Sequence, residues 1–144
     1  MAAPSVGAQI VDPELFRVLV EMETRKAQRM RYVVSLVCLG IDETGRAAWP
    51  ASELAQRVAL SIRATDAISA RNGDCITMLL VDAEDTNLPT IMDRLTPGLA
   101  GIPWSAGGSC YPKTAATADE LLKQAETMMA RAKVDGGRRF YLPA

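Results

Sequence analysis

Two side chains of opposite chemistry stand three residues apart in Arg63-Ala64-Thr65-Asp66, and five residues later comes the turn sequence Asn72-Gly73-Asp74-Cys75-Ile76. A guanidinium offers a rigid fork of donors and a carboxylate offers paired acceptors. Together they complement the two edges of a guanine, whose O6 and N7 accept and whose N1–H and N2–H₂ donate. Across a helix end this spacing lets the two side chains converge, and a lysine in place of Arg63 would supply only a point charge. The turn sequence offers much less chemistry. Asp74 is a single carboxylate beside a thiol, whereas a two-metal phosphoryl-transfer site needs several oxygen ligands clustered around Mg²⁺.

Those residues need elements to hold them. Asn72-Gly73 between two β-rich runs is a strong hairpin signal, because both central positions of a type I′ turn require positive φ. The arms are then Ala67 to Arg71 and Asp74 to Val81. Tyr32 to Ile41 is almost wholly apolar, as a central strand covered on both faces would be. Pro103 to Tyr111 reads as a strand of small residues and Arg139 to Leu142 as an edge strand.

Four helices accompany them. Pro13 to Met30, opened by Asp12 and Pro13, carries an apolar stripe of Leu15, Leu19 and Met22 that needs a partner surface. From Pro50 to about Thr65, Leu54, Val58 and Ile62 share a face, which puts Arg63 near that helix's C-terminal end. Thr86 to Leu95 is a short helix capped by Thr86 or Asn87. Thr117-Ala118-Asp119-Glu120 is a capping box opening the last helix, which Gly136-Gly137 ends. The resulting order, α-β-α-β-β-α-β-α-β, is that of an α/β sandwich on a mixed, largely antiparallel sheet.

The composition narrows the function classes. The chain has 144 residues, enough for about one domain with a core that needs no staples. Sixteen basic residues balance 17 acidic ones and there is no histidine, so nothing favours nucleic acid as a partner. Cys38, Cys75 and Cys110 sit in apolar runs without C-x-x-C spacing and read as buried thiols of a reducing compartment, not zinc ligands. Val33 to Ile41 is about half the length of a membrane-spanning helix, and the start lacks a signal peptide's pattern. These features predict a cytoplasmic protein without membrane insertion.

The Arg-x-x-Asp sequence and hairpin tip, with Ser105-Ala106-Gly107, Tyr111-Pro112, Glu120-Leu121-Leu122, Ala125-Glu126 and Ala132-Lys133-Val134-Asp135-Gly136, resemble the GGDEF domain of diguanylate cyclases. The resemblance runs from about Asp12 to Leu142. It implies a GGDEF, adenylate-cyclase-palm-like α/β (α+β) fold with a βαββαβ core, a domain spanning 12–144 and a flexible segment at 1–11. It also implies that Arg63 and Asp66 form the family's inhibitory site for cyclic di-GMP. Counting twenty residues from Asp74 lands on Arg94, which matches a secondary arginine of that site.

The same resemblance makes the tip (Asn72, Gly73, Asp74, Cys75, Ile76) a degenerate motif. Where the family places three metal-binding acids, this chain has Gly40, Asp74 and Cys75. The guanine-reading segment between Asp42 and Asp66 is about nine residues shorter than the family's, and only Lys133 matches its phosphate-binding pair, Gly137 replacing the arginine. The expectation is therefore a cyclic di-GMP receptor with no catalytic residue, metal or cofactor, regulating a partner protein. In the family this site takes two intercalated ligand molecules, so a second protein or second copy is expected to complete it. The alternatives are a ligand-independent interaction module and, behind it, a weak nucleotide cyclase using Asp42 and Asp74.

Overall fold

The computed structural model describes residues 8–41, 50–63, 66–71 and 75–143. The predicted hairpin tip, Asn72 to Asp74, lies outside the described residues, as does Asp42. Six strands make one sheet in the order β1-β3-β4-β2-β5-β6: β1 (Gln9–Val11), β2 (Val34–Ile41), β3 (Ala67–Arg71), β4 (Cys75–Val81), β5 (Trp104–Tyr111) and β6 (Phe140–Tyr141). The β2–β4, β2–β5 and β3–β4 pairings are antiparallel, while β1–β3 and β5–β6 are parallel. The mixed, mostly antiparallel α/β sandwich expected from the order of elements is what is found.

Among the described residues four helices cover the sheet: α1 (Pro13–Met30), α2 (Ala51–Ala59), α3 (Leu88–Leu95) and α4 (Ala118–Val134). Because strand residues alternate between faces, β2 sends Val37, Leu39 and Ile41 to one side and Leu36 and Cys38 to the other. The first set packs with α2 and α3 through Leu54, Val58, Leu88 and Met92. The second packs with α1 and α4 through Phe16, Val20, Leu121 and Ala125. Leu54 is fully buried, and truncating it to alanine would cost about 2–5 kcal/mol.

Successive glycines of β5 let both layers approach. A Cβ on Gly107 would lie 2.1 Å from the Met129 backbone nitrogen of α4, and one on Gly108 would lie 2.9 Å from the Phe140 ring. No side chain could be accommodated at Gly107 without pushing the helix off the sheet. That close approach brings the C-terminal half of α4 down onto β2 and β5.

Several expectations need correction. Residues 9–11 are not part of a flexible segment: Gln9 to Val11 pair with Ala67 to Ser69 as an edge strand, held also by the Gln9 N–H on the Asp66 carbonyl at 3.2 Å. In α1 the buried stripe is Phe16, Val20, Thr24 and Ala27, whereas Leu15 and Met22 are about half exposed. The helix has two apolar stripes, and periodicity alone picked the outer one. Helix α2 stops at Ala59, and Ile62 stays buried from the turn that follows. Asn87 takes the N-cap position of α3, one of the two expected, but its side chain makes no capping hydrogen bond, because Asp85–Asn87 is a 3₁₀ turn and Asn87 is itself helical (φ −88°, ψ −16°). The N-cap half of the capping box forms, with the Glu120 N–H donating to Thr117 Oγ1 at 3.2 Å, while the Glu120 carboxylate accepts from the Thr117 hydroxyl at 3.1 Å and not from its N–H.

Candidate functional site

The β3–β4 ladder begins at the Ala67/Leu79 pair, so Val81 lies one rung beyond the point where β3 can serve it. Arg63 and Asp66 supply that rung with side chains. The Val81 N–H donates to Asp66 Oδ1 at 2.9 Å, and the Val81 carbonyl accepts from Arg63 Nη2. The turn closes on itself: the Asp66 N–H donates to the Arg63 carbonyl at 2.9 Å and the Arg63 N–H to Asp66 Oδ2 at 3.2 Å. Arg63 Nε lies 3.6 Å from the same oxygen. Two backbone groups at the end of β4, past the last residue of β3 that pairs with it, are thereby satisfied.

Asp66 is 3% exposed. Burial pushes its carboxyl above the ordinary carboxylate value, against the opposing pull of the Val81 N–H and the Arg63 guanidinium and N–H. Both its oxygens already accept from the chain itself, so it acts on its surroundings chiefly by holding Arg63. The Arg63 side chain is 56% exposed; among the described residues its Nη2 donates to the Val81 carbonyl and its Nε pairs with Asp66. The guanidinium is aimed and still half open to solvent.

A cleft of about 290 Å³ opens beside this pair, lined by Arg63 and Asp66, by Leu80 of β4 and by Asp82 and Ala83 just after it, and by Asn87, Thr90, Ile91 and Arg94 around α3. Arg94 is exposed and has no hydrogen-bond or ion-pair partner among the described residues. All three residues singled out for ligand contact in the sequence thus line one cleft, two guanidiniums with a buried carboxylate between sheet and helix. Asp82 and Asn87 were missed by sequence reasoning. Asp82 takes a left-handed conformation (φ 59°) as β4 ends, which aspartate tolerates better than most residues, and the acidic residue just past an apolar strand was its only sequence signal.

The opposite end of β2 differs in every respect. Gly40 pairs with Cys75 on β4 and Ser105 on β5. A Cβ on Gly40 would meet Met129 Sδ at 2.9 Å, so a thioether of α4 covers the place where the resemblance puts a metal-binding acid. Magnesium prefers hard oxygen ligands, and a thiol and a glycine supply none. The described residues here do not fit a Mg²⁺ site, and among them no three of His, Cys, Asp and Glu cluster as metal ligands would. Asp42 and Asp74 lie outside the described residues. Lys133 is exposed in the last turn of α4, and the Arg139 guanidinium folds back on the Gly137 carbonyl at 3.2 Å. Among the described residues no helix is long and apolar enough to cross a membrane.

No protein-family model matches this chain, and no curated protein matches it. Solved structures do. The GGDEF domain of PA1120 (YfiN or TpbB) from Pseudomonas aeruginosa superposes with a TM-score of 0.84 at 18% identity, over 94% of this chain and 91% of that one. The GGDEF domain of DgcB from Caulobacter crescentus, solved in complex with c-di-GMP, gives 0.77 at 13% identity, over 99% and 96%. An EAL/GGDEF domain protein from M. capsulatus gives 0.72 at 25% identity, over 92% and 98%. The chain has the fold of the GGDEF domains of diguanylate cyclases.

Proposed function

We propose that this domain is a receptor for cyclic di-GMP, which it holds in the Arg63–Asp66–Arg94 cleft, and that it does not condense GTP. The observation that carries the reading is the convergence of Arg63 and Arg94 on one cleft, with Asp66 fixing the direction of Arg63. An arginine fork reads the O6 and N7 edge of guanine bidentately. The cleft is at the small end of ligand pockets, so it encloses part of a two-base ligand and leaves the rest for a second surface. That second surface is another copy of the chain or the partner protein that the ligand regulates.

Titration calorimetry with cyclic di-GMP tests the reading. Wild type gives a saturable heat, and Arg63→Ala and Arg94→Ala each weaken it. A strictly one-to-one monomeric complex at all concentrations would contradict a ligand that bridges. Incubation with GTP and Mg²⁺ yields no cyclic di-GMP, and appreciable product would overturn the inactive part of the reading.

A second reading has its own support. Arg63 and Asp66 complete the end of β4 at Val81, and that structural task alone accounts for both, as in a ligand-independent interaction module. Arg94 separates the two readings because it holds nothing in place. Lost affinity with unchanged stability in Arg94→Ala favours the receptor, and absence of any heat favours the module.

A further inference from the structure

We infer that α1 is a self-association surface on which a second copy of this chain docks antiparallel. The outer face of α1 carries Leu15, Val18 and Met22, 45%, 47% and 52% exposed. Their i, i+3, i+7 spacing makes a continuous apolar stripe, while the helix's inner stripe is already spent on the sheet. The apolar stripe gives out toward the C-terminus, where Arg25 and Arg29 are exposed.

Charge selects the occupant and its direction. Beside the stripe, on the flank nearer α4, runs the series Glu14, Arg17, Glu21, Arg25, in which the sign alternates. Reversing that series inverts every sign. A second α1 laid antiparallel therefore sets Glu14 against Arg25, and does so twice because the contact is two-fold symmetric; Arg17 is already paired with Glu21 in its own helix and with Asp119 of α4, so those charges stay balanced beside the seam. The same superposition lays Leu15 over Met22 and Val18 near its own copy at the axis. A parallel pair would turn this flank against the opposite flank of its partner, so Glu14 and Arg25 would not meet. An unrelated partner would have no reason to set opposite charges against both Glu14 and Arg25.

The stripe is smaller than the roughly 800 Å² per partner of a stable interface, so the dimer is weak, with a dissociation constant on the order of 10–100 µM. It also leaves the Arg63–Arg94 cleft free, since that cleft opens beside the sheet layer of α2 and α3 and α1 lies on the other.

Sedimentation of the ligand-free full chain from about 5 to about 500 µM tests the inference. Wild type shifts from monomer to dimer over that range. Val18→Asp, at an exposed position that leaves the fold intact, weakens the dimer more than about tenfold, as a charge forced into an apolar seam must. Glu14→Arg and Arg25→Glu each weaken it about two- to fivefold, and the double variant restores it. Thermal unfolding run alongside remains near wild type for all four variants. A chain that is monomeric throughout, or a dimer indifferent to Val18→Asp, would overturn the surface. Failure of the charge swap to rescue would overturn the antiparallel arrangement.

Discussion

The two ends of the central sheet had the same opportunity to gather charge and made opposite use of it. Beside β3 and β4, a buried carboxylate and two arginines line one cleft. At the far end of β2, Gly40 lies between Cys75 and Ser105 under the sulfur of Met129. The difference follows from what each set of groups does without a ligand. Arg63 and Asp66 hydrogen-bond Val81 and so stabilise the fold while the cleft is empty. Clustered acids have no such task, because without a cation they repel one another and resist burial.

The largest effect that would break this comparison is at Asp66. Asp66→Ala leaves the Val81 and Arg63 N–H groups without acceptors and the Arg63 guanidinium without its anchor. Urea unfolding should show a loss of about 2–4 kcal/mol, together with weakened ligand binding. A loss below about 0.5 kcal/mol, the range of neutral surface changes, would mean that the pair carries no structural weight.

The arginines sharpen it. Each alanine substitution should lower the affinity for cyclic di-GMP by about 1–3 kcal/mol if the side chain reads a base edge. Their stabilities should differ: Arg63→Ala loses the Val81 carbonyl's partner and about 1 kcal/mol, while Arg94→Ala stays within about 0.5 kcal/mol of wild type. Equal stability losses in the two variants would erase the distinction between them. On the other side, Gly40→Asp should cost about 1–2 kcal/mol in thermal unfolding through its encounter with Met129, and Met129→Ala should relieve it. If Gly40→Asp alone allowed GTP to be condensed, the contrast between the two ends would collapse.

The sequence displayed the parts of this molecule that depend on neighbours in the chain. The β3–β4 hairpin, the apolar β2 and the Thr117–Glu120 capping box were legible because turn chemistry, burial on both faces and caps are local. The three cleft residues were found by motif and spacing. The inward commitment of Asp66 was not, because its main partner, Val81, is far along the chain and contributes a backbone group that no sequence pattern marks. Met129 over Gly40 and the strand at Gln9–Val11 escaped for the same reason, since both are set by how α4 and β3 are placed. On α1, two apolar stripes competed and only tertiary packing could say which faces inward.

The smallest expected effect is one of pH, and it separates the two tasks of Asp66 within a single group. Burial raises its carboxyl above the ordinary value, so the folded chain holds a proton there through a window in which the unfolded chain has released it. Stability should therefore fall as pH rises through that window and level off above it. Ligand affinity should move the other way, because only the ionised carboxylate grips Arg63. Calorimetry at successively lower pH, from neutrality toward the ordinary carboxylate range, should show affinity declining, and beginning to decline earlier than an unperturbed aspartate would produce. With no histidine in the chain, few other groups titrate there. In Asp66→Asn the decline should vanish, and if it persisted the pH sensitivity would belong to some other group and Asp66 would have no part in aiming the guanidinium.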